Sequence, residues 1–317
     1  MNGPHTGVPA FMINIHRVES KTDAEAYVAR LRASGRQIDQ YTERSQTNFA
    51  KRLAPPRWVY AQVLGASRNV ITGAPFDTGT DAPLYADFKV KVAKLALPQA
   101  EKSALIAAAA DALSTSVRPA YQRLIAELER QAPSASTDDG VWRLPQGDRY
   151  YAALLGDYTT TDLTAGQVHQ LGLDQVARIH GEMRGIMTTT GFKGDLPAFF
   201  TFMRTDPRFY APNTEEGRAL YLAETEKAKA AVTPLLPQWF STLPKAPMVV
   251  KRVEAFREKS AGKAFYQAPT PDGSRPGTYY ANLYDMANMP LTEVEALFYH
   301  EGVPGHHFQL ALQTEKK

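Results

Sequence analysis

Residues 291–309 read LTEVEALFYHEGVPGHHFQ, and this stretch decides how the end of the chain folds. Pro290 stands immediately before it, and Thr292 with Glu295 has the spacing of a capping box, so the sequence predicts that a helix begins here. Apolar positions then recur at intervals of about one helical turn and mark the side that faces the core. They are Val294, Leu297 and Phe298.

A histidine and a glutamate extend this apolar face. His300 lies three residues after Leu297 and Glu301 lies four residues after it, so both share the buried side of the predicted helix. Polar and charged groups on such a face need partners, because burying an unpaired charge is costly. A metal ion is one efficient partner. The alternative is that these are core or capping side chains satisfied by hydrogen bonds.

The spacing of the histidines departs from the familiar zinc helix. In His-Glu-x-x-His the two histidines are four residues apart, so both reach one ion at about 2.0–2.1 Å. Here His300 is followed by His306 and His307. At about 100° and 1.5 Å per residue, a straight helix would point His306 away from His300 and place His307 roughly 10 Å further along the axis.

The Pro304-Gly305 pair offers a way around this limit. Proline breaks the hydrogen-bond ladder and glycine tolerates unusual dihedral angles, so we expect a bulge that absorbs two extra residues. His306 then arrives where the second histidine of the shorter motif would lie.

We therefore predict His300 and His306 as metal ligands and Glu301 as the general base or water-orienting residue. His307 is the main competitor for the second ligand position. It is alternatively a residue that supports a ligand or stabilises an oxyanion. The chain has no cysteine, so any metal site must rest on His, Asp and Glu.

Short segments rich in Val, Tyr and Phe precede this helix and are separated by Gly, Pro, Asp and Ser turns. This texture is typical of small antiparallel strands. The predicted strands are Met248 to Val253, Ala264 to Gln267 and Thr278 to Leu283.

The last predicted strand carries three candidate substrate-binding residues. An edge strand beside a metal helix binds extended substrate by backbone pairing, and Tyr279, Tyr280 and Asn282 would line that site. Packing against the core is the favoured alternative for the two tyrosines. For Asn282 both interpretations stay open.

The rest of the chain is predicted to be helical, so the fold class is mainly α with a small antiparallel sheet before the metal-site helix. Thr22 and Glu25 have capping-box spacing and open a predicted helix over 24–46, and Pro119 predicts a break near Arg118. We expect a helical lobe at 1–147, a second helical segment at 148–246, and the sheet with the metal-site helix at 247–317. Alternatively, all three form one domain.

Composition excludes several classes of protein. The 317 residues are 44% hydrophobic and 22% charged, which is typical of soluble globular proteins. The net charge of +3 comes without a dense Lys/Arg run, which argues against a nucleic-acid partner. No stretch approaches the roughly 20 apolar residues of a membrane span, and residues 1–15 do not have the pattern of a signal peptide.

The string HEGVPGHHFQ at 300–309 resembles the signature of the bacterial domain of unknown function 885, a family grouped with gluzincin-like metallopeptidases. The resemblance spans most of the chain, and further segments carry it. They are Arg149-Tyr150-Tyr151, Thr159-Thr160-Thr161, Leu171-Gly172-Leu173 and Pro276-Gly277-Thr278-Tyr279-Tyr280-Ala281-Asn282.

The resemblance implies a largely helical, zincin-like peptidase fold with one zinc ion held by two histidines and a downstream glutamate. Family members are typically about twice as long and often exported, some as lipoproteins. We therefore expect this chain to be a fragment that lacks the third ligand. Glu315 is a poor replacement, because nine residues beyond His306 is about 13 Å along a helix.

The leading hypothesis is thus a zinc-dependent peptidase or related amide hydrolase acting on short peptides. With two ligands alone we expect weak zinc binding and little or no activity. One alternative is a catalytically inactive helical binding protein that uses the peptidase-like cleft for a peptide or cell-wall fragment. A metal-free His/Glu hydrolase is a third possibility.

Overall fold

The computed structural model describes residues 3–316 and divides into two compact units. The first unit ends at Tyr158 and the second begins at Thr159. Each unit buries its own set of large apolar and aromatic side chains. The division into three segments expected from the sequence stays a prediction.

The first unit consists of helices. They are α1 (Pro4–Asn14), α2 (Lys21–Ala50), α3 (Arg57–Val70), α4 (Pro83–Ala93), α5 (Gln99–Ala112), α6 (Arg118–Gln131) and α7 (Gly147–Thr159), which ends at the division between the units. The long helix α2 supplies much of the core, because its apolar residues recur on one face. Fully buried side chains of this unit include Tyr27, Leu31, Ile38, Tyr60, Leu84, Phe88 and Tyr121.

The predicted helix over 24–46 is confirmed, but its start differs from the prediction. Ser20 is the N-cap: its hydroxyl accepts a hydrogen bond from the Asp23 N–H at 3.2 Å, and the Asp23 carboxylate accepts one from the Ser20 N–H at 2.9 Å. The box expected at Thr22 and Glu25 is therefore wrong. Both pairs have the required spacing, and the earlier one gives the helix an additional half turn.

The predicted break near Arg118 is confirmed. Helix α5 gives way to a π-helical turn over Leu113–Val117, and α6 then begins with Pro119 at its second position. The Ser116 hydroxyl in this turn donates to the Arg32 carbonyl of α2 at 2.6 Å. The wide turn thus packs directly on the long helix, at the position of Gly35.

The second unit combines helices with one sheet, which confirms the mainly helical fold class. Its helices are α8 (Ala165–Thr189), α9 (Leu196–Thr205), α10 (Glu215–Val232), α11 (Leu236–Trp239), α12 (Val294–Glu301) and α13 (Gly305–Glu315). Its strands are β1 (Met248–Arg252), β2 (Ala264–Gln267) and β3 (Gly277–Ala281). In residues 3–316, no helix combines the length and apolar composition that a bilayer crossing would require.

The sheet has the order β1-β3-β2, with β3 buried along its whole length. Strand β2 pairs with β3 antiparallel, whereas β1 pairs with β3 parallel. The expectation of a wholly antiparallel sheet is therefore wrong. Residues 253–263 connect β1 to β2, and this connection is long enough to carry the chain across the sheet. Strand β3 therefore lies between β1 and β2.

Replacing Gly35 by alanine is expected to destabilise the first unit by about 1–3 kcal/mol, because the new Cβ would lie 2.8 Å from the Ser116 carbonyl oxygen. Gly65→Ala in α3 is the matched control, since nothing lies within 4 Å of its added Cβ. The control should be neutral or stabilising by up to about 1 kcal/mol. Urea denaturation of both variants measures this, and equal midpoints would contradict the packing.

A second prediction concerns His5, whose side chain in α1 is only 2% exposed. Burial lowers the pKa of His5 to about 4 from the ordinary value of 6.5. Its contribution to stability is therefore complete above pH 6.5 and is lost as the pH falls towards 4, by up to about 3 kcal/mol.

We expect the unfolding free energy of His5→Leu to depend less on pH over this interval than that of wild type. His169→Gln alters an exposed histidine and serves as the control. Parallel pH dependences for wild type and His5→Leu would show that His5 does not titrate in this way.

Candidate metal centre

The helix that begins at Val294 ends at Glu301, and the chain resumes helical structure at Gly305. The predicted interruption at Pro304-Gly305 is thus confirmed. The capping box expected at its start is wrong, because the chain enters α12 through a 3₁₀ turn over Leu291–Glu293 and no side chain caps the helix. Backbone hydrogen bonding of that turn replaces it, with the Glu293 N–H donating to the Pro290 carbonyl at 3.2 Å.

The turn between α12 and α13 is held by backbone hydrogen bonds. The Gly302 N–H donates to the Phe298 carbonyl at 2.7 Å, and the His307 N–H donates to the Gly302 carbonyl at 3.0 Å. Gly305 then passes so close to the end of α12 that an added Cβ would lie 2.5 Å from the Tyr299 carbonyl oxygen and closer still to that of His300. Only glycine fits this approach.

This turn brings His300, Glu301 and His306 together. One possible ligand atom from each lies within 4.8 Å of the others. The two imidazole rings are 5.0 Å apart at their centroids and nearly perpendicular, and the Glu301 carboxylate lies 3.7 Å from Nε2 of His306. His300 is exposed, and the other two are half-buried. The residues selected from the sequence therefore form one cluster with an accessible side.

Gln309 is a member of this site that sequence reasoning did not single out. Its Oε1 lies 3.4 Å from Nδ1 of His306. This contact at Nδ1 and the Glu301 carboxylate on the Nε2 side together orient the His306 ring. The available signal was position, since residues three apart on a helix lie on the same face.

His307 is held away from the cluster by two hydrogen bonds. Its Nδ1 lies 2.7 Å from the Tyr266 hydroxyl, and its Nε2 lies 3.1 Å from the Ala246 carbonyl oxygen. Because a carbonyl only accepts, Nε2 donates and Nδ1 accepts from the tyrosine. Burial lowers the pKa of His307, which keeps the ring neutral. With both nitrogens engaged, His307 is not the competing ligand that the sequence left open.

Tyr279 and Tyr280 are core residues. Their burial confirms the packing interpretation favoured from the sequence and not the alternative of substrate binding. Tyr279 is 0% exposed and meets Phe298 edge to face at 5.7 Å, and Tyr280 is 2% exposed and stacks on Phe265 at 4.9 Å. Strand β3 is central and covered on both faces, so neither ring reaches solvent.

Asn282 supports the chain rather than the cluster. Its side-chain amide donates to the carbonyls of Glu258 at 2.7 Å and Ala261 at 3.1 Å. It borders a recess lined by neither His300 nor His306. The structure thus gives Asn282 a local structural role, and a contact with substrate stays a prediction.

Glu315 is also engaged elsewhere. Its carboxylate accepts hydrogen bonds from the N–H groups of Lys245 and Ala246 at 2.9 and 3.0 Å. Burial alone would raise the pKa of this carboxyl, but the two backbone donors outweigh it and hold the pKa below its usual value. This carboxylate therefore fastens the end of α13 to the segment before β1, and it is not part of the cluster.

Over residues 1–317 the chain matches the family described as bacterial protein of unknown function, DUF885. The chain belongs to this family. The family resemblance drawn from the string at 300–309 is thus confirmed.

A solved structure supports the same relationship. A crystal structure of a protein from Colwellia psychrerythraea, provisionally described as a lipoprotein, is similar with a TM-score of 0.90 and 29% sequence identity. The similarity covers 100% of this chain and 54% of that one, so the chain spans about half the length of this relative. No curated protein matches the chain significantly.

Gly305→Ala should open the turn that forms the cluster and destabilise the second unit by about 1–3 kcal/mol, because the new Cβ meets two backbone carbonyls of α12. Gly262→Ala is the control, since its added Cβ meets nothing nearer than 3.9 Å. NMR would follow the contact between the His300 and His306 rings, which we expect to weaken in Gly305→Ala alone. An unchanged contact and unchanged stability would contradict the geometry described.

Proposed function

We propose that this DUF885 chain carries part of a zinc-dependent hydrolase centre that acts on peptide or related amide bonds. The supporting observation is the convergence of His300, Glu301 and His306 across an interrupted helix. Such an interruption costs helix hydrogen bonds. A metal-binding role explains why the chain keeps two imidazoles and a carboxylate together beside it.

The donor set fits zinc. Imidazole nitrogen and carboxylate oxygen are both common zinc ligands, and two donors on one tetrahedral ion lie about 3.4 Å apart. The candidate atoms lie within 4.8 Å of one another, so small side-chain rotations would bring them to that spacing. The exposed side of His300 gives an ion and a substrate a way in.

In this proposal, His300 and His306 would hold the ion, and Gln309 would fix the orientation of His306. When bound, zinc would polarise an amide carbonyl and make a water molecule more acidic. Glu301 would take the proton from the attacking water and pass it to the leaving amine. The half-buried position of its carboxylate, 3.7 Å from Nε2 of His306, supports this role.

Two histidines supply fewer protein ligands than the three of typical catalytic zinc sites. If Glu301 acts as the base, the described residues leave the third ligand to be supplied from elsewhere. We therefore expect weak zinc binding by the 317-residue chain. The description of the Colwellia protein as a lipoprotein supports the further expectation that this protein is exported.

The first test is zinc binding by this chain, measured by calorimetry and metal analysis. We expect one zinc per chain, retained in Glu301→Gln and reduced at least about tenfold in affinity in His306→Ala. His307→Gln should leave the affinity nearly unchanged if its fold survives, because this ring is engaged elsewhere. An unchanged zinc affinity in His306→Ala would contradict the assignment of His306 as a ligand.

The second test is hydrolysis of short peptide amides by this chain and by the longer Colwellia relative. We expect chelator-sensitive cleavage by the relative and weaker cleavage or none by this chain. A relative that binds peptides without zinc and without cleavage would overturn the hydrolase proposal. It would favour the alternative of a catalytically inactive binding protein.

A further inference from the structure

A recess of about 430 Å³ lies beside the cluster and shares both of its histidines. We propose that this recess binds a bulky apolar side chain of the substrate, next to the amide bond that is cleaved. This inference rests on the proposed hydrolase function and adds a substrate class to it. The other lining residues are Phe240, Tyr299, Pro304, Gly305 and Gln309.

Phe240 forms an aromatic wall of the recess. It follows α11, where its N–H donates to the Leu236 carbonyl at 2.9 Å, and its ring packs on Phe308 at 4.8 Å between centroids. The Phe308 side chain is buried in the core, so it supports the Phe240 ring from behind. The partly buried Phe240 thus has a fixed position and an open face.

Tyr299 and Pro304 continue the apolar lining on either side of the break between α12 and α13. Tyr299 directly precedes His300, and Pro304 lies at the start of α13. The segment that shapes the cluster therefore also shapes the recess. A side chain lying against Phe240 would be joined to a backbone that passes the two histidines.

The charges of the lining favour a neutral occupant. Apart from the two histidines, no residue of the lining is ionisable near neutral pH, and Gln309 is already in contact with His306. A carboxylate placed against the Phe240 and Tyr299 rings would lose water, and the Glu301 carboxylate beside His306 would repel it. An apolar side chain would instead gain about 25 cal/mol for each Å² removed from water.

The size of the recess agrees with this occupant. A volume of about 430 Å³ falls within the roughly 300–1,000 Å³ range of small-ligand pockets, so an aromatic or branched aliphatic side chain fits with room for the adjoining amide. A substrate with glycine at this position would leave the Phe240 ring exposed to water. The recess thus discriminates by apolar bulk rather than by charge.

A binding experiment on the 317-residue chain tests the recess without requiring catalysis. The probes are the N-acetyl amides of phenylalanine, glycine and aspartate, titrated while NMR follows the His300 and His306 rings. We expect the phenylalanine probe to bind most tightly and to shift both rings, and Phe240→Ala to weaken it at least about fivefold. Equal affinity for all three probes would overturn the proposal.

Two variants distinguish a loss of probe binding from a loss of folding. Phe240→Leu keeps an apolar wall and should retain most of the binding, whereas Phe240→Ala should not. Trp239→Ala alters the neighbouring aromatic residue at the end of α11, which is 59% exposed and does not line the recess, so probe binding by this variant should match that by wild type. Equal losses in Phe240→Leu and Phe240→Ala would count against the proposed occupant.

A cleavage assay separates the two proposals. Peptide amides that vary on either side of the cleaved bond should be hydrolysed by the Colwellia relative with a preference for bulky apolar residues on one side. Cleavage without such a preference, together with unselective probe binding by this chain, would overturn the proposed role of the recess and leave the hydrolase proposal standing. Selective binding of the phenylalanine probe without cleavage by either protein would overturn the hydrolase proposal and leave the recess as a binding site for apolar side chains.

Discussion

The close approach of Gly305 to the carbonyl of His300 is the contact on which the second unit's candidate site depends. It lets α13 begin directly against the end of α12, a separation that no residue with a Cβ would allow. The turn places His306 beside His300, whereas a continuous helix would point the two apart. The cluster, the Gln309 contact and the apolar recess all follow from this one turn.

Local backbone constraints made part of this structure predictable from the sequence. Proline and glycine limit the backbone wherever they occur, so the breaks before Arg118 and at Pro304-Gly305 could be located from the sequence. The convergence at His306 followed from asking what such a break would do to the spacing. Cap positions were less certain, because Ser20 and Thr22 offer the same hydroxyl and helical periodicity does not choose between them.

Features that depend on distant parts of the chain could not be predicted in the same way. The parallel pairing of β1 depends on the path of residues 253–263 and not on the residues of the strand. Tyr279 and Tyr280 look like candidate binding residues until the aromatic side chains packed on them, Phe298 from α12 and Phe265 from β2, are known. The partner of His307 on Ala246 lies 61 positions away in sequence, and no local pattern announces such a contact.

His306 and His307 are adjacent in sequence but belong to different environments. His306 faces the cluster, while His307 is fixed in the interior between Tyr266 and the Ala246 carbonyl. The direction of the outer ring therefore depends on anchors supplied by β2 and by the segment before β1. A synthetic peptide of residues 300–309 would contain every donor atom of the motif and still lack its geometry, so the motif cannot be transplanted into another scaffold as a short string.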